Sequence, residues 1–317
     1  MRTRHAAAIA GGLMMLMLTG CSGEEGRSGA DLSARRINVV TTVGMLTDVV
    51  EHIGGDRIEV MGLMGPGIDP HLYKASAGDV TKMQRADVIF YNGLHLEGAM
   101  AELFERMASM TRTVAAAEAI DHDRLHASPD NPELHDPHVW FDVSLWIEVS
   151  RRVGATFVEI DSAHAAGYQS RADAYIARLE ALHAYVQQRA GELPPERRVL
   201  ITAHDAFNYF GRAYGFEVYG LQGISTVTEA GTSDVQELAN FIAQRRVPAI
   251  FVESSVPPRT IEALQAAVAS KGFAVAIGGE LYSDAMGDPG SPEGTYEGMV
   301  RHNIDTIVGA LKGEETK

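Results

Sequence analysis

From residue 37 onward, short apolar runs rich in β-branched residues alternate with stretches whose apolar positions return every three or four residues. Runs at 37–42 (INVVTT), 57–61 and 87–91 (DVIFY) predict strands, and 45–53, 76–85 and 97–107 predict the helices between and after them. A second series follows, with strands at 199–202 (VLIT), 217–220, 249–252 and 273–277 and helices at 205–214, 233–244, 260–269 and 293–311. Parallel neighbours need a crossover long enough to hold a helix, so this alternation predicts parallel sheets sandwiched by helices. The expected fold class is α/β. Two similar lobes, each a mainly parallel four-stranded sheet with helices on both faces, should occupy residues 37–166 and 194–317.

Between the two series the pattern changes. Tyr168, Ala172, Tyr175, Leu179, Leu182 and Val186 recur at spacings of 4, 3, 4, 3 and 4, one stripe of a continuous helix. From 168 to 190 it would span about 35 Å, and Gly191, Pro194 and Pro195 stop it. A helix that long, falling between the series, reads as a linker (167–193) running the height of both lobes. It should resist wide hinge opening.

A third pattern stands apart at the start of the chain. Arg2 and Arg4 precede an uncharged, mostly apolar run at 6–18, well short of the roughly 20 residues a membrane-spanning helix needs. It reads as a secretion signal over 1–20. Leu18-Thr19-Gly20-Cys21 resembles the bacterial lipobox, which makes Cys21 the expected lipidation site and mature N-terminus. Residues 21–36, rich in Gly, Ser and charge, then read as a flexible tether. The working part is expected in the bacterial cell envelope, outside the cytoplasmic membrane and lipid-anchored to it, periplasmic if the host has two membranes.

Composition narrows the chemistry. The chain has 317 residues, 42 Asp and Glu against 27 Lys and Arg, and a net charge of -15. Nucleic-acid binding needs cationic surface to replace counterions on phosphates, so that class is excluded. Cys21 is the single cysteine, which excludes an internal disulfide framework and a thiolate metal cluster. Apolar residues at 45% supply enough material for two cores.

Four residues of ligand type lie at loop ends. His71 closes the turn-dense segment Gly65-Pro66-Gly67-Ile68-Asp69-Pro70-His71 after a predicted strand, and His138 lies in His135-Asp136-Pro137-His138 just before a helix. His204 follows the 199–202 run, and Asp284 follows the last strand. Loops at the carboxyl edge of a parallel sheet are where open α/β folds place ligands. Three imidazoles and a carboxylate suffice as the inner shell of a divalent transition metal, and they match tetrahedral zinc. Taken singly, each histidine has an ordinary reading as a solvated or capping loop residue, and spacing along the chain does not join them.

Four longer motifs join them. GxDPHxYxxxxxD at 67–79, DPHVWFD at 136–142, TAHDAFNYF at 202–210 and GGELYSDAMG at 278–287 together resemble the TroA-type substrate-binding lipoproteins of zinc/manganese ABC transporters, the cluster A-I binding proteins. The likeness covers nearly everything from residue 37 to 311. It implies His71 and His138 from the first lobe and His204 and Asp284 from the second as metal ligands, with the ion buried between the lobes. It also implies a monomeric receptor whose partners are an ABC permease and its cytoplasmic ATPase. Zinc is the first expectation for the cargo, with manganese and iron as alternatives. Manganese-directed relatives commonly carry Glu where this chain has His204.

His122, His126 and His135 lie in a polar loop where zinc-specialised relatives carry a longer His-rich insertion, and here they read as solvated. Glu253 and Asp205 read as orienting groups or as caps. His52, His95, His164, His183 and His302 read as structural, and Met45, Met61 and Met64 as core. Three other functions compete. A metallohydrolase normally keeps an open coordination position and often an HExxH motif, and the chain offers four ligands and no such motif. An adhesin would need a macromolecular contact patch that the sequence does not identify. A receptor for haem, cobalamin or a siderophore would have little use for four convergent metal ligands. The expected protein is therefore a binding receptor, not an enzyme. Release is expected through a modest tilt of the lobes, with Asp284 leaving first from its glycine-flanked segment.

Overall fold

The computed structural model describes residues 32–128 and 133–313. The secretion signal and Cys21 lie outside the described residues. So does the tether up to residue 31.

Four strands, β1 (Ile37–Thr41), β2 (Ile58–Gly62), β3 (Val88–Tyr91) and β4 (Arg112–Ala115), form a wholly parallel sheet in the order β2-β1-β3-β4. β1 and β3 are buried nearly throughout, as a sheet covered on both faces requires. The covering helices are α1 (Gly44–Gly54), α2 (Ala77–Arg85), α3 (Ala101–Ala108) and α4 (Val143–Ile160). Ser76 and Asp79 form a reciprocal capping box that starts α2. The Asp142 carboxylate accepts the Ser144 N–H and starts α4. β4 carries no clear sequence signal because it is a short edge strand with one buried side chain, Val114. Residues 32–36, assigned to the tether by composition, are instead a short 3-10 turn and an anchor. Arg35 pairs with Asp87 through two 2.7 Å contacts, and Arg36 donates to the Ile58 carbonyl.

The second half repeats the order with a break. β5 (Val199–His204) pairs with β6 (Glu217–Gln222), and β7 (Ala249–Glu253) pairs with β8 (Ala276–Leu281), both parallel. β5 and β7 run side by side without a continuous ladder, so the expected four-stranded sheet is two hydrogen-bonded pairs. Its helices are α6 (Asn208–Tyr214), α7 (Thr232–Arg245), α8 (Arg259–Ser270) and α9 (Tyr296–Lys312). β8 begins three residues into the apolar run at 273–277 that signals it. Phe273 and Val275 serve the second core ahead of the strand, while the strand itself contains Gly278 and Gly279. A Cβ on Gly278 would stand 2.7 Å from Ala310 and 2.8 Å from Phe251. Close packing of α9 and β7 thus overrides the poor strand propensity of glycine there.

The linker is the 27-residue helix α5 (Ala165–Gly191), about 40 Å long. Its buried stripe contains all six residues that signalled it, plus Ile176 and Ala190. It packs on α1 and α4 from the first half and on α6 and α9 from the second. Arg171 donates to the carbonyls of Ile53 and Gly54, and the Tyr175 hydroxyl donates to Asp48 at 2.7 Å. Toward its other end, Arg189 and Tyr185 both reach Asp305 of α9. One core therefore runs from the first sheet through α5 into α6 and α9, and a second, smaller core lies around β5, β6, β7, α7 and α8. Because α5 and α9 are shared, the two halves do not have fully separate cores. Each buried leucine of the stripe contributes roughly 1.5–3 kcal/mol, and that stabilisation resists splaying the halves apart.

Candidate metal centre

His71 and His138 are delivered by the same device. In Asp69-Pro70-His71 and Asp136-Pro137-His138 the proline has no N–H, and the aspartate turns back to accept the N–H of the histidine two residues on. The distances are 2.8 Å for Asp69 and 3.0 Å for Asp136. Asp136 uses the same oxygen to take the His138 Nδ1–H at 2.7 Å, which turns Nε2 inward. Asp69 instead accepts the Thr226 hydroxyl at 2.6 Å with its other oxygen.

His204 ends β5 at the point where the second sheet breaks. Its backbone N–H is taken at 2.8 Å by the Glu253 carboxylate, which stands in for a strand partner. The other Glu253 oxygen lies 2.5 Å from His204 Nδ1, so Nε2 again points inward. β6 must pass close behind this turn. A Cβ on Gly220 would stand 2.4 Å from the Asp205 nitrogen, and only glycine fits. Asp284 follows β8 on a loop fastened at several points. Asn303 of α9 both donates to and accepts from the Tyr282 backbone, and the Ser254 hydroxyl donates to the Ala285 carbonyl.

These four paths converge. His71, His138, His204 and Asp284 are all buried, and their nearest donor atoms lie within 4.8 Å of one another. His71 Nε2 is 3.2 Å from His138 Nε2 and 3.6 Å from Asp284 Oδ2. Asp284 is 3.5 Å from His138 Nε2 through Oδ1 and 3.3 Å from His204 Nε2 through Oδ2. Tetrahedral ligands about 2.0–2.2 Å from a central ion stand roughly 3.3–3.6 Å apart, so these four separations, in a set that lies wholly within 4.8 Å, are close to the spacing such a shell requires. Both Asp284 oxygens and His204 Nε2 are buried without a hydrogen-bond partner. Orphaned buried polar atoms are costly in a folded protein, and a cation among them would satisfy all three.

The electrostatics are those of a cation site. Burial holds the His71 imidazole neutral, lowering its pKa to about 3 against the opposing pull of Asp284. Burial also works against charge on His204, but the facing carboxylates of Glu253 and Asp284 outweigh it and raise its pKa well above the ordinary value. Burial alone would raise Asp284, yet the surrounding imidazoles, His204 first, hold it well below the usual carboxylate range. A full divalent charge can replace the proton on His204 and strengthen every one of these attractions.

The remaining candidates stand elsewhere. The His122 and His135 rings meet edge-on at 5.2 Å, and His126 packs on Tyr209 at 4.7 Å. None of these three belongs to the convergent group. Asp205 is not a cap, since the cap position before α6 is Phe207 and no side chain caps the helix there. His52, His164, His183 and His302 bond to Asp48, Asp161, Tyr214 and Glu280 respectively. Met45 and Met64 are core residues, and Met61 packs against that core. The orienting role of Asp136 was missed from sequence, although the repeated Asp-Pro-His triplet signals it.

Residues 39–310 match the family described as ZnuA, zinc-uptake complex component A, periplasmic. The chain is 52% identical over 310 residues to the zinc-binding protein TroA of Treponema pallidum (strain Nichols), covering 98% of this chain and 99% of that one. It is 45% identical over 295 residues to the manganese-binding lipoprotein MntA of Bacillus subtilis (strain 168), covering 93% and 95%. The solved structure of the periplasmic zinc binding protein TroA from Treponema pallidum superposes with a TM-score of 0.85 at 52% identity, over 87% of this chain and 99% of that chain. The match runs through the strands of both halves and the helix between them, and the chain belongs to the zinc-uptake component A family of metal substrate-binding proteins.

Proposed function

We propose that this protein captures one divalent transition-metal ion outside the cytoplasmic membrane and delivers it to an ABC permease driven by a cytoplasmic ATPase. His71, His138, His204 and Asp284 hold the ion between the lobe at 37–166 and the lobe at 194–317, and the linker at 167–193 keeps the lobes in register. The observation that carries the reading is the buried set of three imidazole nitrogens and one carboxylate at tetrahedral edge distances. Four protein ligands close the shell and leave no position for a catalytic water, which favours cargo binding over hydrolysis.

Zinc fits the donor set best, with manganese and iron as the alternatives. The related proteins named above bind zinc in one case and manganese in another. Affinity alone does not decide between them, because zinc outranks manganese at almost any site of nitrogen and oxygen donors. The deciding measurement has two parts. Calorimetry on chelator-stripped protein should give one zinc per chain, and elemental analysis of protein taken from its native envelope should show which metal it carries. Failure to bind zinc or manganese, or metal-dependent turnover of an ester or peptide, would overturn the reading.

Cys21 carries the anchor in this proposal, and the protein acts as a monomer tethered to the membrane. Acyl chains contribute about 0.8 kcal/mol per buried CH₂, and two or more hold stably where one is marginal. The mature protein is expected to partition into detergent, and Cys21→Ser to move it into the aqueous phase. An intact mass from native membranes showing an unmodified Cys21 would count against the anchor.

A further inference from the structure

Two of the ligand loops are held in place partly by the opposite half of the molecule. The Asp284 loop belongs to the second half, yet the Ser283 carbonyl accepts the indole N–H of Trp140 at 3.0 Å. Trp140 is fully buried, two residues after His138, with its ring 5.2 Å from the imidazole. Its own carbonyl accepts the Tyr296 hydroxyl from α9 at 2.7 Å. Met286, at the far end of the same loop, is buried against Gly44 at the start of α1. The reverse tie holds His71. The Thr226 hydroxyl, on the loop after β6, donates to Asp69 at 2.6 Å, and Asp69 holds the His71 N–H with its second oxygen. Thr226 is itself buried.

Neither residue offers an atom to the ion, but both control where ligands stand. The segment read from sequence as the freest part of the site is thereby pinned. Its glycines at 278 and 279 lie inside β8, and the residues around Asp284 are fixed by Asn303, Trp140 and Ser254. Of these ties only the Trp140 bond crosses from the first half. Any movement that separates the halves must break Trp140–Ser283 and Thr226–Asp69, and the same movement carries Asp284 away from His71 and His138.

We infer that Trp140 and Thr226 are positioning residues that act as a reciprocal pair of latches, setting how fast the bound metal is released while leaving its ligand set unchanged. This rests on the metal site proposed above. A coordination shell tolerates displacements of only roughly 0.2 Å, so a latch that limits loop excursions governs the opening step. Neither tie uses a donor atom of the four ligands, so the association rate is expected to depend on the latches less than release does.

The test uses the full mature chain loaded with zinc, with dissociation followed by transfer to a fluorescent chelator in stopped flow. Thr226→Val removes the hydroxyl and keeps the shape, while Trp140→Phe removes the N–H and keeps an aromatic ring. Each is expected to speed dissociation about 3- to 10-fold, the range of one net hydrogen bond, with the association rate within about twofold. Thr226→Ser should restore the parent rate. Thermal unfolding of the metal-free forms separates latching from general damage. If Trp140→Phe unfolds, the Val and Ser replacements at Thr226 still decide the matter. Dissociation unchanged in Thr226→Val, or no difference between Val and Ser at that position, would overturn the inference. One zinc bound with parental association kinetics would leave the proposed metal site standing in that case, whereas loss of zinc binding by the parent itself would remove both.

Discussion

His71→Ala is expected to weaken zinc binding roughly 10²- to 10³-fold while leaving the metal-free fold as stable as the parent. Structural zinc sites bind with about 10–16 kcal/mol. Divided among four ligands this gives roughly 3–4 kcal/mol each, and about 1.4 kcal/mol is tenfold. His71 is the cleanest ligand to remove because its ring has no carboxylate hydrogen bond like those of His138 with Asp136 and His204 with Glu253. His204→Ala should lose comparable affinity and also destabilise the metal-free protein, because the fully buried imidazole would leave Glu253 without its ring partner. Breaking a buried pair from one side costs about 3–5 kcal/mol. Adding Glu253→Gln to His204→Ala should therefore recover much of that stability without recovering zinc affinity. His126→Ala, outside the cluster, should change affinity by less than about threefold. Competition titration against a chelator of known affinity, paired with urea unfolding of the stripped proteins, reads all of these. An effect of His126→Ala equal to that of His71→Ala would place the cation elsewhere.

Acidification should release the metal, and the raised pKa of His204 fixes the sign. Against the opposing effect of burial, the facing carboxylates of Glu253 and Asp284 raise the pKa of its imidazole well above the ordinary value. That pairing adds stability in full below the unfolded value of about 6.5, and the contribution is lost as pH rises through the higher folded pKa. The metal needs the neutral ring, so binding must displace that proton. His71, with its pKa lowered to about 3, has no proton to lose near neutrality. Zinc should therefore displace about one proton from His204, and affinity should rise up to tenfold per pH unit until that group has titrated. The rise in Tm on adding zinc should accordingly grow from about pH 5.5 to about pH 8. Calorimetry in buffers of different ionisation enthalpy counts the proton. A Tm increment independent of pH, or no proton release, would contradict the assignment of His204 as a ligand. Glu253→Gln removes a principal support of the raised pKa, so it should move the pH dependence downward. It should also weaken binding about 10- to 100-fold, as loss of an orienting partner does.

Much of this arrangement is legible along the chain. Seven of the eight strands coincide with β-rich runs, and β1, β3, β5 and β7 are the clearest because they are covered on both faces, which forces their residues to be apolar. The long helix is legible because its buried stripe is uninterrupted over six positions. The exception, β4, is an edge strand whose burial is confined to Val114. The late start of β8 has the opposite cause, since close approach of α9 and β7 demanded glycine where strand propensity asks for bulk. The shared core was not legible at all. Periodicity identifies the buried face of a helix and is silent about its partner, and α5 and α9 serve both halves.

The ligand types and their placement at loop ends are properties of the sequence, as is the Asp-Pro-His triplet that presents two of them. Local chemistry decides these, because a proline without an N–H and an aspartate two residues before the histidine act within a single turn. Everything that turns four residues into one site was decided by the tertiary structure. The break between β5 and β7 lets Glu253 take both the backbone and the ring of His204. The meeting of the two halves brings Asp284 within 3.6 Å of His71 and within 3.5 Å of His138. The reciprocal ties through Trp140 and Thr226 exist only once residues 143 and 157 positions apart along the chain are neighbours. Hydrogen bonds and coordination act over a few ångströms, and only the packing of one half on the other closes those distances.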